Sequence, residues 1–118
     1  MPDRKNDCIF CKIVNKEIPA HLEYEDNNIA AFSDKNPQAP VHMLIVPKTH
    51  IPKIHDAGEK DAKVLGEMLL AAKNIAAKAG ISESGYRLVI NCGRHGGQLV
   101  DHLHLHLLGG RLFHWPPG

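Results

Sequence analysis

His102, His104 and His106 stand at alternate positions near the C-terminus, three of the nine histidines in a chain of 118 residues. In an extended strand, side chains alternate between faces, so these imidazoles share one face with about 6.6 Å between neighbours. Leu103, Leu105 and Leu107 then point into the core. Three imidazoles are costly to bury without partners, and a plain polar face could be built as well from Thr, Lys or Glu. Two chemistries suit the spacing. Paired strand histidines can grip a metal, or one neutral imidazole can act as a nucleophile while a neighbour donates hydrogen bonds to a phosphate. Gly93, Gly96, Gly97 and Gln98 precede the row and favour phosphate, because glycines let backbone N–H groups approach an anion closely. A second pattern, Cys8-Ile9-Phe10-Cys11, is a Cys-x-x-Cys that could be a redox pair, half a zinc site or neither. No strand-like stretch precedes it, which weakens the redox reading, and structural zinc requires four ligands.

The elements that must position these residues are legible from periodicity. Ile9, Phe10, Ile13 and Val14 have the spacing of one face of a short helix closed before Pro19. Residues 21–25 and 29–33 flank Asp26-Asn27-Asn28 and read as a hairpin. Residues 41–46 form an apolar strand ending at Pro47. Between Asp56 and Gly80 the period becomes helical, with Val64, Leu65, Met68, Leu69, Ala72, Ile75 and Ala76 in one stripe. Asp56 and Glu59 have capping-box spacing, and Gly80 is a natural stop. Strands are expected over 86–91 and 101–108, joined by the glycine-rich bend. The expected fold is α+β, a mainly antiparallel sheet with one long and one short helix in a single domain spanning residues 1–118.

Composition narrows the classes of function. The hydrophobic fraction of 43% with 23% charged residues is that of a globular chain. A formal net charge of +1 supplies no electrostatic reason for a nucleic-acid or membrane partner. No apolar run could span a bilayer, and residues 1–7 lack the apolar core of a signal peptide. Three cysteines, Cys8, Cys11 and Cys92, make no disulfide framework and suit a reducing, cytoplasmic setting.

His102-Leu103-His104-Leu105-His106-Leu107-Leu108 resembles the His-φ-His-φ-His-φ-φ motif (φ apolar) of the histidine triad superfamily. Gly97-Gln98 before it, Gly109-Gly110-Arg111 after it and the terminal His114-Trp115-Pro116-Pro117-Gly118 extend the likeness. Lys16-Glu17-Ile18-Pro19-Ala20, Pro37-Gln38-Ala39-Pro40 and Val46-Pro47-Lys48 are similar to the nucleotide-binding branch. The resemblance runs from about Cys8 to Gly118 and implies a five-stranded antiparallel sheet with two helices, dimerising through the long helix.

By the same resemblance, His104 is the nucleophile that becomes nucleotidylated, His106 binds the α-phosphate and assists proton movement, and His42 supports them. Asp34 is implied to bind the ribose hydroxyls. Ile9, Phe10, Phe32 and Leu44 surround a purine base, and Asn91, Gly97 and Gln98 line the phosphate and leaving group. Leu99 departs from the pattern: many relatives carry Ser or Thr there, and Leu has no hydroxyl to offer a leaving group. Zinc, by resemblance, is held by Cys8, Cys11, His50 and His102 in a structural role, and the chemistry itself needs no cofactor. His21, His55 and His114 read as surface residues. The implied activity is hydrolysis of the P–N bond of purine nucleoside 5'-phosphoramidates by a homodimer. The alternatives are a dinucleoside polyphosphate hydrolase or nucleotidyl transferase, and a non-catalytic nucleotide- or zinc-binding module.

Overall fold

The structure is a computed structural model that describes residues 7–118; residues 1–6, and with them most of the segment read as lacking a signal-peptide core, lie outside the described residues. The elements run α1 (Ile9–Val14), β1 (Leu22–Glu25), β2 (Ile29–Ser33), β3 (Val41–Pro47), α2 (Ala62–Lys78), β4 (Tyr86–Val89) and β5 (Leu105–Gly109). The strands form one five-stranded sheet in the order β1-β2-β3-β5-β4, with every pairing antiparallel. The expected architecture, five antiparallel strands with one long and one short helix, is the one observed.

The β1–β2 turn follows from one side chain. Asp26 Oδ1 accepts the N–H groups of Asn28 and Ile29 at 2.8 and 2.9 Å, an Asx-turn that reverses the chain. Register then sorts side chains to faces. Ala31, Ile45, Leu105, Met43 and Leu107 are cross-strand neighbours in pairs and join Met68, Ala72 and Ala76 of α2 in the main core. Leu105 and Leu107 are 1% and 0% exposed, a burial worth about 1.5–3 kcal/mol for each side chain. The opposite face carries Ala30, Phe32, Leu44 and Val46, which pack with Phe10, Ile13 and Val14 of α1 in a second cluster. One helix therefore lies on each face, and the α1 face is the one that bears the histidines.

Three expectations for the long helix need correction. The long helix begins at Ala62, after two 3₁₀ turns at Ile54–Asp56 and Glu59–Asp61. Asp61 Oδ2 accepts the Gly58 N–H at 2.9 Å and caps the second 3₁₀ turn, which leads into the helix, in place of the expected Asp56–Glu59 pair. Leu69 lies off the buried stripe at 47% exposed, beside Leu70 at 60%, while Ala71 is buried. The stop at Gly80 is observed, with φ +78°.

The last two strands are shorter than expected, four and five residues. Residues 101–104 run outside the ladder because their backbone bonds go elsewhere: Leu103 N–H donates to Ile51 O at 2.6 Å, and His102 N–H to Val100 O at 2.8 Å. The alternation survives without ladder pairing, and Leu103, Leu105 and Leu107 are all buried. Among the described residues no helix is long and apolar enough to cross a membrane.

Candidate active site

His104 and His106 face each other with ring centroids 5.0 Å apart, and His42 on β3 stands beside His106 at 5.2 Å. Main-chain groups decide where the protons sit. The Gln38 N–H donates to His42 Nδ1 at 3.0 Å, so that nitrogen must hold a lone pair and His42 Nε2 carries the hydrogen. His42 Nε2 lies 2.9 Å from His106 Nδ1. His106 Nδ1 is then the acceptor, and its hydrogen is placed on Nε2. That Nε2 is buried with no hydrogen-bond partner among the described residues. It is an N–H donor left without an acceptor.

His104 is set the opposite way. Its Nδ1 lies 2.6 Å from the His102 carbonyl oxygen, an acceptor only, so Nδ1 carries the hydrogen and Nε2 keeps its lone pair. The pair thus presents a nucleophilic nitrogen on one ring and a donor on the next. Burial, with the neighbouring His104 and His42 adding repulsion, pushes His106 from 6.5 down to about 4, so it is neutral at physiological pH. His42 is likewise lowered by burial, with the Asp34 carboxylate opposing. Asp34 Oδ2 is 3.4 Å from His42 Nε2, and its Oδ1 accepts the Asn36 N–H at 2.8 Å.

Asp34, His42 and His106 also lie close enough to suggest a metal. The Gln38 N–H argues otherwise. A ligating His42 Nε2 would need its hydrogen on Nδ1, where the backbone donor already points. A second cluster has no such conflict. Cys8 Sγ is 3.2 Å from His102 Nδ1, Cys11 Sγ is 3.2 Å from His50 Nδ1, and the two Nδ1 atoms are 3.2 Å apart. A tetrahedral zinc with ordinary bond lengths puts S and N ligands about 3.6 Å apart and two N ligands about 3.3 Å apart. All four ligand atoms lie within 4.8 Å of one another, so the residues fit the ion. His102 is aimed by its other nitrogen, since Nε2 donates to Pro47 O at 2.8 Å. Burial holds His102 neutral down to about 4, the state a ligand needs.

α1 closes this end of the site. Phe10, between the two cysteines in sequence, meets Phe32 edge-on at 5.4 Å and His104 at 5.2 Å. Phe32 and Leu44 are 6% exposed, whereas Ile9 is 42% exposed. Of the expected base-pocket residues, Phe10, Phe32 and Leu44 are brought together in one cluster, which does not include Ile9.

The bend before the histidines differs from a phosphate cradle. Gly93 N–H donates to Gln98 Oε1 at 2.9 Å, Gly97 N–H to Arg94 O and Gln98 N–H to Gly93 O, both at 3.1 Å. Gln98 Nε2 donates to Pro52 O and Val100 O at 2.7 and 2.9 Å. These donors shape the loop. Asn91 is half-buried, Leu99 is 94% exposed, and His21, His55 and His114 are exposed as expected. Gln38 and Pro47 enter the site through main-chain atoms only, so side-chain chemistry offered no signal for them.

Comparison with known proteins places this geometry. A family model described as the HIT domain matches residues 15–113. An uncharacterised HIT-like protein of Synechocystis is 54% identical over 112 residues, 95% of this chain and 97% of that protein. A HIT family hydrolase from Legionella pneumophila superposes with a TM-score of 0.93 at 54% identity, covering 95% of this chain and all of the other. A zinc-bound histidine triad family protein from Mycobacterium smegmatis superposes at 0.78 with 29% identity over 92% of this chain and 78% of its own. With its triad, its sheet and these relatives in agreement, the chain belongs to the HIT domain family.

Proposed function

We propose that this chain hydrolyses the P–N bond of purine nucleoside 5'-phosphoramidates through a nucleotidyl intermediate on His104. The observation that carries the reading is the opposed pair of tautomers, a lone pair at His104 Nε2 beside a buried, unpartnered N–H at His106 Nε2. His104 Nε2 attacks the α-phosphorus, the new N–P bond forms and the bond to the leaving nitrogen breaks. His106 Nε2–H stabilises charge on the phosphoryl oxygens. A neutral imidazole surrenders its N–H with difficulty, so the leaving nitrogen takes its proton from water. The hydroxide left behind attacks the intermediate, releases the nucleotide and restores His104. One water is consumed overall. Asp34 on the rim is the group for the ribose hydroxyls, and Phe10, Phe32 and Leu44 form the wall for the base. The likeness to a HIT family hydrolase supports hydrolysis as the reaction class.

Zinc at Cys8, Cys11, His50 and His102 belongs to the same proposal, supported by the ligand geometry and by the zinc-bound relative. When bound it supplies a cross-link between α1 and the sheet, and no step of the reaction passes through it. A homodimer through α2 completes it, supported by Leu69 and Leu70, 47% and 60% exposed on that helix. Light scattering tests this, and a monomeric mass would refute it. The activity test is steady-state hydrolysis of an adenosine phosphoramidate, with denaturant quench to trap the adduct. The wild type should turn over and form the adduct, and His104→Ala should do neither. Turnover undiminished in His104→Ala would end the proposal. Faster cleavage of a dinucleoside polyphosphate than of the phosphoramidate would reassign the substrate.

A further inference from the structure

His102 belongs to two networks at once. Its ring Nδ1 joins the sulfur–imidazole cluster, 3.2 Å from Cys8 Sγ, while its carbonyl oxygen accepts the His104 Nδ1 hydrogen at 2.6 Å. A second connection runs through α1. Cys8 caps that helix, its Sγ accepting the Cys11 N–H at 3.3 Å, and Phe10 between them packs 5.2 Å from the His104 ring and 5.8 Å from the His102 ring. α1 has six residues, far fewer than the roughly 12–15 at which an isolated helix becomes even marginal. Its position therefore depends on what anchors it. The anchors are Phe10, Ile13 and Val14 in the smaller core cluster, and the cysteines at the ligand cluster.

From this shared wiring we propose that metal occupancy at Cys8, Cys11, His50 and His102 and nucleotide occupancy beside His104 are thermodynamically linked, each raising the affinity for the other. The linkage rests on the metal and nucleotide readings proposed above and extends them, because it makes the zinc site an effector of the binding pocket. A metal holding both cysteines fixes α1, which fixes Phe10 as the wall of the base pocket. The same metal fixes His102, whose carbonyl orients the His104 ring. A nucleotide resting on Phe10 and His104 resists the α1 displacement that metal release requires. Coupling of two sites is reciprocal, and typical couplings change affinity by about 5- to 150-fold.

The test uses the full-length wild type and AMP, which binds without turnover. AMP affinity is measured by calorimetry on zinc-loaded protein and on protein stripped by a chelator. Zinc affinity is measured by competition with a chromophoric chelator, with and without saturating AMP. We expect AMP to bind at least fivefold more weakly to the stripped protein, and zinc to gain the same factor from AMP. Should the stripped protein unfold, the rate at which chelator extracts zinc from loaded protein reads the same linkage, and AMP should slow it. Phe10→Leu, which keeps apolar bulk but loses the ring contact, should retain zinc and reduce the slowing. Zinc and AMP both bound, with AMP affinity or zinc extraction changed less than twofold by the other ligand, overturns the linkage alone. Protein that takes up no zinc overturns the metal reading with it, and loaded protein that binds no AMP overturns the nucleotide reading with it.

Discussion

Replacing His42 with Asn separates two jobs that the imidazole performs at once. Asn Oδ1 can occupy the place of Nδ1 and keep accepting the Gln38 N–H, now 3.0 Å from the ring. Nothing in Asn reaches the place of Nε2, so the 2.9 Å contact to His106 Nδ1 is lost. His106 is then free to carry its hydrogen on either nitrogen. The bias that His42 imposes is one neutral hydrogen bond, about 0.5–1.5 kcal/mol net, which is roughly a 2- to 13-fold preference for the productive tautomer at RT ≈ 0.59 kcal/mol. With both tautomers equally populated, the productive fraction falls from about 0.7–0.93 to about 0.5, so the nucleotidylation rate in a single turnover should fall about 1.4- to 1.9-fold. Stability should fall by about 1–3 kcal/mol, from the smaller buried side chain and the lost contact. A second readout has a definite sign. Burial is the larger cause that depresses His106 toward about 4 and the charge of His42 adds to it, so removing His42 should move the titration of the His106 ring to higher pH. Rapid-quench measurement of adduct formation, corrected for folded fraction by urea titration, reads the rate, and an NMR titration of the His106 ring reads the shift. A folded His42→Asn protein with an undiminished rate and an unmoved His106 titration would refute the relay.

Three further outcomes are expected of the same molecule. Gly96→Ala would place a Cβ 2.5 Å from the Cys92 carbonyl oxygen and 2.7 Å from its nitrogen, both rigid main-chain atoms, so the bend must shift at a cost of about 1–3 kcal/mol; an unchanged melting temperature would contradict this. Asp61→Ala removes the acceptor of the Gly58 N–H and should cost about 1 kcal/mol in urea unfolding while leaving the kinetics of the proposed hydrolysis unaltered. His42 and His106 are held below 6.5 when folded, His106 at about 4, so the unfolded chain takes up protons first as pH falls. Stability is then complete above about 6.5 and lost toward about 4, and the urea midpoint should be lower at pH 5 than at pH 7.

How far the sequence foretold all this depends on which atoms carry each feature. The alternation of His102, Leu103, His104, Leu105, His106 and Leu107 is a side-chain pattern, and burial follows it even where residues 101–104 leave the ladder. The hairpin at Asp26 and the stop at Gly80 were legible for the same reason, since a carboxylate and a missing Cβ each write their turn locally. Leu69 was not, because which edge of an apolar stripe is buried depends on where the sheet ends beneath it. Gln98 was named for a leaving group, yet its amide closes the loop on Gly93, Pro52 and Val100. Contacts to residues 46 and 2 positions away cannot be told apart from composition. The Gly58–Asp61 cap displaced the expected Asp56–Glu59 pair because two 3₁₀ turns take up the intervening chain.

The donors and acceptors that polarise the histidines have a consequence for how the protein can change over time. The Gln38 N–H, the His102 carbonyl and the Pro47 carbonyl belong to the peptide backbone. A carbonyl persists through any substitution at its own position, and an N–H through any but one. At position 38 only proline, which has no N–H, would remove the donor while leaving the neighbouring side chains in place. The exposed Gln38 side chain is thus free to drift without disturbing the imidazoles behind it. Mutation can reach the relay through the histidines themselves or by bending the chain's path, and hardly at all through the residues that set its direction.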